Sequence, residues 1–140
     1  VSKSADGIFY FLIPILAWLI GHENANDFLI FGLTAFAIEL PLYKILKNSI
    51  KRKRPFKVLN GVTRRINPPD QFSFPSGHTS GAFVIYVLVA HFFLILSLPV
   101  LLWASLVGFS RVHLGVHFPL DVIIGAFVGF FCGNLTMLLV

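Results

Sequence analysis

The chain has 140 residues, of which 56% are hydrophobic and 12% charged, and it carries a net charge of +5. Soluble domains have nearer a quarter of their residues charged, so this composition excludes an ordinary soluble protein and points to an integral membrane protein of one domain, residues 1–140. The single Cys132 excludes an internal disulfide.

A helix needs roughly 20 apolar residues to cross the hydrocarbon, with about 17 tolerated. By that measure five spans are predicted in an all-α polytopic membrane helix bundle: Ser4–Ile20, Asp27–Ile45, His78–Leu96, Pro99–Phe109 with a continuation to Leu114, and Pro119–Val140. The chain begins at Val1, not Met, and reads as a fragment or trimmed piece with room for a sixth helix upstream. Trp18 is placed as an interface anchor near the end of the first span. The polar turn that follows supplies Asn26 or Asp27 as a cap for the second helix, with His22 and Glu23 as plain surface loop.

In the second span Pro41 is expected to kink the helix, and Glu39 to pair with Lys44 or with the freed backbone groups. A basic run from Lys44 to Lys57 follows at the membrane edge, and alone it would do no more than meet anionic headgroups. The passage through Arg64, Arg65, Asn67, Pro68, Pro69 and Asp70 is turn-forming and irregular. Counted span by span, all eleven Lys and Arg fall on one side, while the other holds His22, Glu23, Asp27 and His91. The positive-inside rule makes the basic side cytoplasmic, whereas an anion-binding mouth would place cations there in either orientation.

At the start of the third span, Ser76 suits an N-cap and Gly77 lets a ligand approach the backbone closely. His78 then sits in the first turn. This is either a well-capped helix or an anion seat, since exposed N–H groups and the positive end of the helix dipole point at one spot. Gly125, Gly129 and Gly133 repeat the small-xxx-small spacing and read as helix packing.

The last polar stretch, Ser110 to Asp121, places an arginine, two histidines and a carboxylate beside apolar runs, where ionisable groups are costly and usually functional. Pro119 suits the first position of a helix, with Asp121 in its first turn. A carboxylate four residues after His117 can accept the imidazole N–H and leave the other ring nitrogen as a nucleophile. On one continuous helix His113, His117 and Asp121 would form a stripe able to hold zinc, but Gly115 and Pro119 break that helix.

Three stretches match, in order, the motifs of the type 2 phosphatidic acid phosphatase family, and the chain resembles its members from Lys47 to Asp121. A lysine, six residues and Arg-Pro are met by Lys47 and Arg54-Pro55. Pro-Ser-Gly-His is met by Pro75 to His78, and Ser-Arg, five residues, His, three residues, Asp by Ser110-Arg111, His117 and Asp121. The resemblance implies a lipid phosphatase in which His117 attacks phosphorus, Asp121 orients its ring, and His78 serves as general acid and then base. Lys47, Arg54, Ser76, Gly77, Ser110 and Arg111 would bind the phosphoryl group, with no metal or other cofactor. The implied substrate is a phosphorylated lipid such as phosphatidylglycerol phosphate, undecaprenyl pyrophosphate, phosphatidic acid or a lipid A phosphate. Membrane lipids are the other expected partners, and nucleic acid is not one. Family topology places the site on the extracytoplasmic side of a bacterial inner membrane, against the positive-inside count. The alternatives are a non-enzymatic anionic-lipid-binding or transport protein, and a zinc-dependent membrane hydrolase.

Overall fold

The computed structural model describes residues 2–5, 7–19, 23–63, 65–68 and 70–140. The expectations for Ile20 as a span end, His22 as surface loop, and Arg64 and Pro69 in the irregular passage lie outside the described residues. A 3-10 turn, Ser2–Ala5, leads into α1 (Gly7–Leu19), α2 (Ala25–Ile50), the short α3 (Pro55–Val58) and α4 (Gly77–Phe92). A second 3-10 turn, Leu94–Leu96, then precedes α5 (Ser97–His113) and α6 (Pro119–Leu139). The chain is an all-α bundle and an integral membrane protein. Ala25–Val58, Leu94–His113 and Pro119–Leu139 are each long and apolar enough to cross a membrane.

The second helix differs from its prediction at both ends. It starts at Ala25 with Asn24 as N-cap, so Asp27 lies in its first turn and does not cap it. It then runs through Pro41 and on to Ile50. This extension carries Lys47 on a helix instead of in a loop. Glu39 is buried while Lys44 faces outward, so the pairing predicted between them gives way to burial of Glu39 inside the bundle.

The sixteen-residue α4 is the centre of the bundle, packed against α2, α5 and α6. Ala82, Val84, Ile85 and Leu88 are all buried on it, as expected of a helix apolar around its circumference. The outer helices instead turn large apolar side chains outward, among them Leu98, Leu102, Leu106 and Phe109 on α5 and Phe127 and Phe131 on α6. In lipid that outward face carries no penalty, and helix association rests on close packing.

The glycines of α6 provide that packing. A Cβ on Gly125 would meet the Ser76 carbonyl, one on Gly129 the Ser80 carbonyl, and one on Gly133 the side chain of Val87. All three face α4, so the small-residue stripe is the seam that brings α6 against it. The seam also sets the position of the polar ends. The C-terminal ends of α2 and α5 and the N-terminal ends of α4 and α6 meet at one face, where Ser76 N–H donates to the Asp121 carbonyl at 2.9 Å.

Candidate active site

Lys47 lies in the last turn of α2 and is buried. Lys51 then adopts the left-handed conformation, φ 50°, and its N–H closes on the Lys47 carbonyl at 3.1 Å. The helix stops there, and an extended stretch delivers Arg54, 1% exposed, to the N-cap of α3. A buried guanidinium needs acceptors on every side. Arg54 donates from Nη1 to the Val116 carbonyl at 2.8 Å, from Nε to the Asp70 carbonyl at 3.2 Å, and from Nη2 to the Asp70 carboxylate.

Asp70 gathers three donors from two elements. Besides Arg54 it accepts Lys47 Nζ at 2.7 Å and the Tyr43 hydroxyl at 2.8 Å. Burial acts to raise its pKa, but hydrogen bonds and charge from Lys47, Tyr43 and Arg54 outweigh burial and hold the carboxyl below its usual range. Asp70 is therefore an anion at neutral pH. Neither Asp70 nor Tyr43 stands out in the sequence, because the first lies in an irregular loop and the second in an apolar run.

The Ser76 backbone occupies the N-cap of α4 as predicted, but its hydroxyl pairs with the Thr79 hydroxyl at 2.9 Å. The face of Gly77 is covered by Tyr43, whose ring a Cβ there would meet at 2.9 Å. The Ser110 hydroxyl donates to the Val107 carbonyl at 2.7 Å within α5. These two serines thus engage their own helices.

Helix α5 ends at His113, and Gly115 turns the chain with φ 72° against the Thr63 carbonyl, where a Cβ would come within 2.9 Å. His113, His117 and Asp121 consequently share no helix. His113 instead pairs through Nε2 with Arg65 at 3.0 Å and stacks on Phe109. The turn delivers His117, 3% exposed, with Nε2 3.4 Å from Arg54 Nη1 and Nδ1 3.9 Å from Asp121 Oδ2. Because a guanidinium only donates, the nitrogen facing it holds the lone pair, and the ring proton belongs on Nδ1 toward the carboxylate. The 3.9 Å separation is longer than a hydrogen bond. Asp121 itself is fully buried, accepting the Phe118 N–H at 2.8 Å on Oδ2 and Arg52 Nη1 at 2.9 Å on Oδ1.

Burial, and then the positive charges of Arg54, Arg111 and Lys47, push the His117 pKa down from 6.5 to about 2. The imidazole is neutral at any physiological pH, as a nitrogen nucleophile must be.

A cavity of about 410 Å³ joins these groups. Six of the nine sequence-predicted site residues line it: Lys47, Arg54, Gly77, His78, Arg111 and His117. Asp121 stands behind His117, while Ser76 and Ser110 are outside the lining. Glu39, Tyr43 and Asp70 add polar groups, and Tyr10, Phe36 and Leu40 supply an apolar wall. Cations, a neutral imidazole and a second histidine beside an apolar wall suit an anionic group carried on an apolar body.

A family model described as the PAP2 superfamily matches residues 28–140. An undecaprenyl-diphosphatase of Sulfolobus acidocaldarius is 33% identical over 135 residues, covering 92% of this chain and 63% of that protein. Phosphatidylglycerophosphatase B of Bacillus subtilis is 36% identical over 136 residues, covering 85% of this chain and 63% of that protein. The chain thus spans just under two thirds of the length of these two relatives. The crystal structure of Aquifex aeolicus LpxE is similar with a TM-score of 0.84 at 31% identity, over 97% of this chain and 80% of that one.

The depressed pKa of His117 has a consequence for stability. Below pH 6.5 the unfolded chain takes up a proton that the folded chain refuses down to about pH 2. Stability therefore falls as pH falls, by at most about 1.4 kcal/mol per pH unit from this residue. In detergent, the thermal unfolding midpoint of the wild type should drop more steeply between about pH 7 and about pH 5 than that of His117→Asn. Parallel curves would contradict a buried neutral imidazole.

Proposed function

The chain belongs to the PAP2 superfamily, and from that membership we propose that it is a membrane lipid phosphatase working through a phosphohistidine at His117. The observation that carries this reading is the buried His117, its Nε2 3.4 Å from Arg54 Nη1 at the wall of a cavity lined by cations and His78. In the first step the Nε2 lone pair forms a bond to phosphorus while the bond from phosphorus to the lipid oxygen breaks. Protonated His78 gives its proton to that leaving oxygen. In the second step water attacks phosphorus, His78 takes the water proton back, and the N–P bond breaks to release phosphate. The charge that develops on the phosphoryl oxygens is met by Lys47, Arg54 and Arg111. Asp121 faces the Nδ1–H as the ring becomes positive.

The substrate is a lipid phosphate monoester or pyrophosphate. Undecaprenyl diphosphate and phosphatidylglycerophosphate lead, by analogy with the relatives, ahead of phosphatidic acid and lipid A phosphate. The apolar wall of Tyr10, Phe36 and Leu40 suits the lipid portion. We further place the site at the extracytoplasmic face of a bacterial inner membrane. Phosphate binding accounts for Lys47, Arg54 and Arg111, the cations that a charge count would assign to the cytoplasm.

Phosphate release from a panel of these four lipids in detergent tests the reading. Wild type should release phosphate with EDTA present, and His117→Ala should lose at least about a thousandfold in rate. Activity abolished by EDTA, or retained in His117→Ala, would contradict the mechanism. Asp70 shares Lys47 and Arg54 with any phosphate bound there and repels it. Asp70→Asn should therefore bind inorganic phosphate or tungstate roughly tenfold more tightly, measured as competitive inhibition. Weaker inhibition would show instead that the carboxylate is needed to hold the two cations in place.

A further inference from the structure

Arg52 is one of the six unspecified residues between Lys47 and Arg54 in the first motif, and it does not line the cavity. It nevertheless touches the group behind the nucleophile. Its Nη1 donates to Asp121 Oδ1 at 2.9 Å, and its guanidinium lies 4.1 Å from the centroid of the Phe118 ring. The Arg52 carbonyl accepts the Ser73 N–H at 2.8 Å and the Ser73 hydroxyl at 3.3 Å. Two residues past the end of α2, Arg52 thus ties the approach to α4 to the first turn of α6.

The arrangement around Asp121 leaves Arg52 a specific task. The carboxylate has no solvent exposure, and a buried carboxylate without a partner cation is strongly disfavoured. Lys47, Arg54 and Arg111 line the cavity, where they serve an anionic substrate, whereas Arg52 approaches from outside it. With Oδ1 held by Arg52 and Oδ2 held by the Phe118 N–H, the carboxylate cannot rotate. Oδ2 stays turned toward His117 Nδ1, at 3.9 Å. Stacking on Phe118, the residue between His117 and Pro119, adds a second restraint on the same turn.

We propose that Arg52 is a positioning residue for phosphoryl transfer, one that balances and orients Asp121 so that Asp121 can steady His117 in the transition state. The proposal rests on the reading of His117 as nucleophile. Arg52 acts on the carboxylate and touches no substrate atom, so its loss affects turnover and not binding.

The test is steady-state hydrolysis of the best lipid of the panel by wild type, Arg52→Gln, Arg52→Lys and Asp121→Asn, with tungstate inhibition measured for each. Arg52→Gln should lower kcat by about 10- to 100-fold, the range for groups that orient a reactive ligand from behind. Its KM and tungstate inhibition should stay within about twofold of wild type, because the cavity cations are unchanged. Arg52→Lys, which keeps the charge, should recover part of the lost kcat, and in an Asp121→Asn background Arg52→Gln should add little further loss. A rise in KM with kcat intact would overturn the proposal, since Arg52 would then contact the substrate, and an unchanged kcat would overturn it equally. If Arg52→Gln does not fold, Arg52→Lys decides alone: the proposal requires reduced kcat at unchanged KM. Failure of the underlying reading has a different signature, in which wild type releases no phosphate or His117→Ala remains active.

Discussion

The polar face of this bundle depends on a carboxylate that water cannot reach. Asp121 has no solvent exposure, yet it sits where four helix ends meet. Its side chain takes a hydrogen bond from Arg52 beyond the end of α2 and another from the backbone N–H that opens α6. Its main-chain carbonyl takes the Ser76 N–H at the start of α4. One residue therefore closes three junctions that would otherwise leave polar groups unpaired beside hydrocarbon. The glycine seam between α4 and α6 makes this possible, because only a close approach brings Ser76 within reach of Asp121.

That constraint fixes the site's electrostatics. Lys47, Arg54 and Arg111 are buried beside the His117 imidazole, an arrangement costly enough to require compensation. Asp70 supplies part of it by pairing with Lys47 and Arg54, and His117 responds by remaining neutral. The cations that suit a phosphate thus also keep the nucleophile unprotonated. Burial and charge act in the same direction on His117, and its readiness to attack is a property of its surroundings.

Much of this was legible in the sequence, and the limits follow from which signals are local. Each predicted apolar run overlaps a helix, though among the described residues only three segments are long and apolar enough to cross a membrane, and the placing of Pro119 and Asp121 in the first turn of α6 follows from local rules of helix starts. The C-terminal end of α2 departs from its prediction because the basic, polar residues after Ile45 resemble a loop, whereas the helix continues until Lys51 turns left-handed. Six motif residues meet in one cavity. The serines Ser76 and Ser110 turned to partners within their own helices, which a motif cannot reveal. The roles of Asp70 and Arg52 are not legible in the sequence for a deeper reason. Their importance lies in contacts with residues far along the chain, Lys47 and Arg54 for one and Asp121 for the other, and no spacing rule encodes those.

The central claim is that phosphorus becomes bonded to His117. The most direct measurement is rapid acid-free quenching of the wild-type protein during turnover of a lipid carrying labelled phosphate, followed by peptide mass spectrometry under alkaline conditions. The account predicts an acid-labile, alkali-stable phosphoryl group on the peptide containing His117, appearing within the first turnover and absent from His117→Ala. Steady turnover with no phosphorylated histidine, or a phosphoryl group on another residue, would contradict it.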